Sequence, residues 1–294
     1  MRILAFGGWG QLGSDLAIAA EGRHTLLRPT HAEVDVTNAE AVERSVLENH
    51  PDAVIDAAAF HRVEACEREP GMAFAVNAVG ALSVARAAFR AGATCVFVSS
   101  DYVFDGTKEG GYVEDDPLGP VNVYGVSKAA GEWLVSAACP DSLIVRASGL
   151  FGHAGSSAKG GNFIETMLAK AARGEALSVV DDLRFSPTAT RDMAERMIAL
   201  LEAGAATGIY HVANAGSCTW YELARRTFEL AGLAPSLSRR ESDPEGVRRP
   251  RSSILLDTRT ARVGLPPASP WQEALHRYLR ERNRPDDRIR SSPE

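Results

Sequence analysis

The chain has 294 residues, which suits one large α/β domain or two smaller ones. Hydrophobic residues make up 45% and charged residues 24%, the balance of an ordinary globular protein rather than a disordered or fibrous one. A net charge of −6 argues against a dedicated nucleic-acid binder, and no apolar run reads as long enough to cross a membrane.

Residues 2–6, RILAF, form a short apolar run fit for a buried strand, so the start reads as fold rather than as a signal peptide. GGWGQLG follows at 7–13, and Leu12, Leu16 and Ala19 then recur at helical spacing. The turn has two frames. Gly8, Gly10 and Gly13 give G-x-G-x-x-G, whereas Gly7, Gly10 and Gly13 give G-x-x-G-x-x-G. Either frame lets backbone approach a pyrophosphate at a helix N-terminus. Residues 24–27 read as a second strand, and Thr37 or Asn38 caps a helix running to about residue 50.

Residues 53–56 are a third strand, 72–91 a long Ala-rich helix, and 94–98 an apolar strand ending in Ser99-Ser100. Residues 124–138 read as helix and 142–146 as strand. This alternation implies a Rossmann-type, doubly wound parallel sheet with helices on both faces, spanning mainly residues 1–150. The smaller, mixed C-terminal region, mainly 151–282, is expected to bind substrate and to return some chain to the Rossmann core. Its helices are expected at 162–173, 192–202, 220–230 and 271–282, with strands at 177–180 and 210–213. Residues 236–253 are polar, charged and loop-like, and 283–294 read as a disordered tail. Cys66, Cys95, Cys139 and Cys218 lie far apart without a C-x-x-C, so buried reduced thiols in a cytoplasmic protein are expected.

The chemistry gathers in SSDYVFDG (99–106) and NVYGVSK (122–128). Ser100 closes a strand, and strand ends in open α/β sheets face the ligand crevice. Tyr124 and Lys128 stand four apart on one helix face. A nearby ammonium would lower the tyrosine pKa and let it exchange a proton with a carbonyl near neutral pH. Ser100 would donate to the same oxygen, and Lys128 would also hold a nicotinamide ribose. His153 and His211 have no visible partner, which favours structural roles.

Together these landmarks resemble the extended short-chain dehydrogenase/reductases, and more closely the dTDP-4-dehydrorhamnose reductase family. Further landmarks are DV at 35–36, DAAAF at 56–60, VNA at 76–78, RASGLFG at 146–152, GNF at 161–163, SPT at 186–188 and RPRSS at 249–253. The resemblance runs through most of the chain. It selects Gly7, Gly10 and Gly13 as the functional frame, makes Gly8 incidental, and leaves Trp9 either covering the cofactor or packing. It assigns catalysis to Ser100, Tyr124 and Lys128. It places Gln11, Leu12, Asp35, Val36, Ala57, Ala58 and Ala59 along the cofactor, and Asn77 behind the active site, where it supports a water or the catalytic lysine. For the substrate it implies Asp101, Tyr102, Asn162, Phe163 and Arg249, with Pro187, Thr188 and Ser253 as further candidates.

The chain departs from the family in three places. Asp56 stands where Asn is common, and Ser100 where Thr is frequent. Gly149 leaves space where some relatives set a tryptophan against the sugar. Asp15 matches one member of a carboxylate set proposed for a metal in some relatives, but Arg191 stands near another, so no metal is expected.

The resemblance implies NADPH-dependent reduction of the C4 ketone of a dTDP-4-keto-6-deoxy sugar, in first place dTDP-4-dehydrorhamnose to dTDP-L-rhamnose. Elimination is disfavoured because Asp101 is followed by Tyr102 rather than Glu. Arg28, at the end of the second strand, suits a 2′-phosphate where NAD enzymes usually carry Asp or Glu. NADPH is therefore favoured, with NADH also compatible, and a homodimer is plausible. The alternatives are a nucleotide-sugar epimerase, or a non-catalytic NADP-binding regulatory subunit like that of methionine adenosyltransferase.

Overall fold

Five short, almost wholly apolar segments set the architecture. In the computed structural model, which describes residues 1–154 and 161–282, they are β1 (Arg2–Phe6), β3 (Ala53–Asp56), β4 (Thr94–Ser100), β5 (Leu143–Ala147) and β10 (Gly208–His211). Strands buried on both faces need continuous apolar runs rather than alternation. With β2 (Thr25–Leu27) they form a six-stranded parallel sheet in the order β10-β5-β4-β3-β1-β2. Strands β2 and β3 flank β1 on opposite sides, so a crevice opens beyond the carboxyl ends of β1 and β3.

Helices cover both faces. On one side α1 (Gln11–Ala20) and α8 (Thr190–Glu202) pack Leu16, Met193 and Ile198 onto Ile3, Ile55 and Val145. On the other, α2 (Ala39–Asn49), α5 (Ala81–Ala91) and α6 (Val123–Ala138) bury Val42, Val84 and Val135 against Leu4, Val54 and Phe97. Each fully buried Leu or Ile contributes about 1.5–3 kcal/mol. Asn38 caps α2 by accepting from the Ala41 amide. The helical run 70–91 joins α4 (Pro70–Phe74), a π-helical turn (Ala75–Gly80) and α5. By length and composition it is apolar enough to cross a membrane, contrary to the sequence expectation, with mean hydropathy 1.5. Half of it is buried inside the fold, which accounts for its apolar character.

A third core lies in the second half. There α7 (Phe163–Ala172), α9 (Trp220–Ala231) and α10 (Trp271–Arg282) pack around Phe151, Phe185 and Trp271. Small sheets join them: β7 (Leu177–Val180) pairs with β12 (Leu237–Arg240), and β8 (Arg184–Phe185) lies between β11 (Cys218–Thr219) and β13 (Ser252–Ser253). The two-residue strands β6 (Leu150–Phe151) and β9 (Thr188–Ala189) link this region to the end of β5. The segment expected as a loop, 236–253, thus holds β12 and β13. Their polar side chains hide the strand signal, because β12 pairs only with β7 and exposes three of its four residues. The tail expected at 283–294 lies outside the described residues. Another helix, α3 (Val63–Arg68), follows β3 and had no clear sequence signal.

Candidate active site

The glycine turn sits at the end of β1. Gly7 has φ +71°, and a Cβ there would lie 2.6 Å from the Ala57 carbonyl carbon. A Cβ on Gly13 would lie 2.3 Å from the carbonyl carbon of Gly8. Gly8 is not incidental. It is the surface on which Gly13 and the Arg28 side chain close, and a Cβ on it would meet Arg28 Cγ at 2.7 Å. Both frames of the motif are therefore in use, one for the turn and one for packing.

Arg28 Nη1 donates to the Gly8 carbonyl at 3.3 Å, and the guanidinium lies 4.0 Å from the Trp9 ring centroid. Trp9 Nε1 in turn donates to the Arg28 carbonyl at 2.8 Å. Trp9 thus packs on Arg28 and also lines the cleft beside Gly8, Pro29 and His31. Farther along, Asp35 is held by the Thr37 amide and hydroxyl, which lower its pKa. Asp35, Val36, Ala57, Ala58 and Ala59 line the same wall.

The cleft holds about 2320 Å³ and runs from this turn to the second half. Ser100, Tyr124 and Lys128 all line its middle. Ser100 closes β4 and caps a short 3-10 turn (Asp101–Val103), its Oγ accepting from the Tyr102 amide at 3.2 Å. Asn122 caps α6, accepting from the Gly125 amide at 2.8 Å, and so sets Tyr124 in the first turn. The Tyr124 hydroxyl lies beside Ser100, whose hydroxyl lowers its pKa. Tyr102 packs edge-on against Tyr124, with ring centroids 5.7 Å apart.

The electrostatics differ from the sequence expectation. Burial raises the Tyr124 pKa, and the Ser100 hydrogen bond only partly opposes it. Lys128 is not among the strongest influences on this phenol. Its ammonium lies 4.0 Å from the Phe97 ring centroid and is fully buried. Burial lowers the Lys128 pKa to about 8, against the opposing charges of Asp56 and Glu132. Asp56 is itself raised to about 6 by burial, with Lys128 opposing.

A high tyrosine pKa keeps the phenol protonated at neutral pH, which suits a proton donor. Lys128 Nζ and Gln11 Oε1 are buried with no hydrogen-bond partner among the described residues. Such atoms are costly unless a ligand satisfies them. With the Gly7–Gly13 cradle, they fit a dinucleotide along this wall.

The substrate end is built from side chains that bind one another. Arg249 pairs with Glu64 of α3, donates to the Val247 carbonyl at 3.2 Å and lies beside Tyr102, whose pKa it lowers. Asn162 caps α7 and donates to the Gly152 carbonyl at 2.9 Å and the Tyr278 hydroxyl at 3.0 Å. Phe163 meets Trp220 edge-on at 4.8 Å. Thr188 is buried and donates to the Ser186 carbonyl, while Ser253 donates to Asp101. Lys170, Arg184, Arg240, Arg248 and Arg251 join Arg249 along the cleft wall, a cationic lining suited to a diphosphate.

Gly149 does not leave open space. It has φ +51°, and a Cβ there would meet the Phe185 ring at 2.3 Å. Phe185 stacks on Trp220 at 4.1 Å, and Trp220 lines the cleft.

Supporting residues stand behind the site, and of these Glu132 escaped the sequence reading. Asn77, in the π-helical turn, holds the Phe60 backbone through both ends of its amide and donates to Ser127 at 2.9 Å. It thereby ties the cofactor wall to α6 rather than touching Lys128. Glu132, four residues after Lys128, accepts from Ser99 at 2.5 Å and from Arg146 at 2.8 and 2.7 Å. That spacing on one helix face was the available signal. His211 lies behind the site, 3.4 Å from Arg146, and burial lowers its pKa to about 4. His153 stacks on Tyr278. Asp15 is bonded to Thr190, and among the described residues no metal-holding group of three or more His, Cys, Asp or Glu is found.

The model of the RmlD substrate binding domain family matches residues 1–284. The spore coat polysaccharide biosynthesis protein SpsK of Bacillus subtilis (strain 168) is 38% identical over 285 residues, 96% of this chain and 98% of that protein. A dTDP-4-dehydrorhamnose reductase of Mycolicibacterium smegmatis is 39% identical over 93% of this chain and 84% of its own length. A crystal structure of dTDP-4-dehydrorhamnose reductase from Bacillus anthracis str. Ames, in complex with NADP, superposes with a TM-score of 0.90 at 33% identity. It covers 95% of this chain and 99% of its own. A six-stranded Rossmann sheet, a glycine turn and a Ser/Tyr/Lys set in one cleft agree with these matches, and the chain belongs to the RmlD family of dTDP-4-dehydrorhamnose reductases.

Proposed function

We propose that this protein reduces the C4 ketone of a dTDP-4-keto-6-deoxy sugar with NADPH, converting dTDP-4-dehydrorhamnose to dTDP-L-rhamnose. The observation that carries this is the meeting of Ser100, Tyr124 and Lys128 in one cleft, between a dinucleotide cradle and a cationic wall. Gly7, Gly10, Gln11, Leu12 and Gly13 hold the pyrophosphate side. Asp35 and Val36 face the adenosine, Ala57, Ala58 and Ala59 line its path, and Arg28 with Trp9 takes the 2′-phosphate. When bound, the cofactor supplies hydride to C4.

Tyr124, kept protonated by its buried setting, gives a proton to the ketone oxygen, leaving a hydroxyl. Ser100 donates to the same oxygen and so stabilises the charge that develops there. Lys128 uses its unpartnered ammonium on the cofactor ribose. Arg249 exchanges Glu64 for the substrate diphosphate, and Phe163 with Trp220 walls the nucleotide end. Residues 1–150 form mainly the cofactor-binding domain and 151–282 mainly the sugar-nucleotide region. The four cysteines are buried thiols, which suits a reducing compartment such as the cytoplasm.

The test is NADPH oxidation with dTDP-4-dehydrorhamnose generated in place by the upstream enzymes, with identification of the product. Stoichiometric oxidation and dTDP-L-rhamnose are expected. Interconversion of two sugars with no net NADPH consumption would move the chain to the epimerases.

A further inference from the structure

Ser100 has one proton and several claims on it. Its Oγ accepts from the Tyr102 amide at 3.2 Å and lies 3.0 Å from Asp101 Oδ1, and it also meets the Tyr124 hydroxyl. A hydroxyl offers one donor and two acceptor sites. If Asp101 were a carboxylate, the single Ser100 proton would point at it, and none would remain for a substrate oxygen.

The other side of Asp101 is full. Oδ2 accepts from Ser148 at 2.7 Å and from Ser253 at 2.6 Å. Ser148 Oγ also accepts the Ser186 amide at 3.2 Å, which leaves its proton for Asp101. Oδ1 is therefore the oxygen with room for a proton. Asp101 is only 4% exposed, and its strongest influences are burial, three serine hydroxyls and its own amide, with no cation among them. Burial raises the pKa of this carboxyl, and the serine hydroxyls and its own amide only partly oppose that.

We propose that Asp101 is a positioning residue that stays a neutral carboxylic acid, donating from Oδ1 to Ser100 and so releasing the Ser100 proton for the ketone oxygen. With the Tyr124 proton turned to the ketone, each Ser100 site is then used once. Ser100 accepts from the Tyr102 amide and from Asp101, and donates to the substrate. Ser148 and Ser253 hold the Asp101 side chain through Oδ2. In this role the carboxyl sets the direction of the Ser100 hydroxyl, which meets the ketone oxygen. This inference rests on the role given to Ser100 in the reductase reading.

Two measurements test it. The first compares kcat and the NADPH dissociation constant for the wild type, Asp101→Ala and Asp101→Asn. An Asn side chain can donate to Ser100 through its amide nitrogen and accept from both serines through its oxygen. Asp101→Ala is expected to lower kcat about 100-fold, the scale of one lost oxyanion donor, with NADPH affinity unchanged. Asp101→Asn is expected to rescue most of that loss. The second is the infrared difference spectrum, at neutral pH, between the wild type and Asp101→Asn, each labelled with carboxyl-13C aspartate. A protonated carboxylic acid band that disappears in the variant is expected.

Failure of Asn to rescue, or a carboxylate band in place of the acid band, would overturn the proposal. If the folding of Asp101→Ala is impaired, the infrared comparison still decides the protonation state. Absence of wild-type turnover would instead overturn the reductase reading, and the infrared result would be unaffected by it.

Discussion

The two ends of the cleft are built on different principles. At the cofactor end the wall is largely backbone, glycine and alanine, and two buried polar atoms, Lys128 Nζ and Gln11 Oε1, have no partner among the described residues. At the substrate end the polar side chains already satisfy one another: Arg249 with Glu64, Asn162 with Tyr278, Ser253 with Asp101. A ligand at the first end fills bonds that are missing. A ligand at the second must exchange bonds that exist. Affinity at the first end should therefore depend on single atoms, and at the second on the balance between protein and substrate partners.

The largest expected break of this contrast is at Lys128. Replacing it with Met should lower kcat by about 100- to 1,000-fold and weaken NADPH binding, measured by fluorescence titration, while dTDP binding stays as it was. Unaltered NADPH binding would remove the claim that its unpartnered ammonium serves the cofactor.

Next comes Arg249→Ala, which removes charge-assisted bonds worth about 1.5–3 kcal/mol, or roughly 10- to 100-fold. The change should appear in KM for the sugar nucleotide and not in KM for NADPH. A smaller effect of opposite sign is expected for Glu64→Gln. That change frees Arg249 from a half-exposed ion pair of about 0–1 kcal/mol, so KM should fall a few-fold at most.

The pH dependence sharpens the same picture. Lys128 is protonated below about 8, so kcat/KM should fall as pH rises through that value. Stability should respond in the opposite sense. Between about 8 and 10.5 the unfolded chain holds the lysine proton more firmly than the folded one, so this group alone makes stability rise with pH. Denaturant titrations across that window, beside the rate profile, separate the two.

The sequence was most legible where recognition uses backbone. Glycines cannot be replaced where a Cβ would strike Ala57 or Gly8, so the turn carries a pattern that reads directly. Ser100, Tyr124 and Lys128 were legible for a related reason, since a strand end and an i, i+4 pair fix their positions. The second half was harder. Glu64 and Arg249 are 185 residues apart and meet only through the fold. The strand at Leu237–Arg240 was hidden because its one-sided pairing leaves it polar.

Two readings of small residues were reversed by packing. Gly8 serves Gly13 and Arg28, and Gly149 makes way for Phe185. The latter predicts that Gly149→Ala costs about 1–3 kcal/mol in denaturant titration, from overpacking against that ring and from its positive φ. A stable Gly149→Ala protein would show that the Phe185–Trp220 stack yields easily.

The central claim is that Tyr124 supplies the proton for a ketone reduction in this cleft. Its most direct test is single-turnover NADPH oxidation by the wild type and Tyr124→Phe, with dTDP-4-dehydrorhamnose as substrate and NADPH binding measured on both. Equal binding is expected, with a turnover rate about 100- to 10,000-fold lower in the variant. Equal rates, with NADPH bound to both, would contradict it.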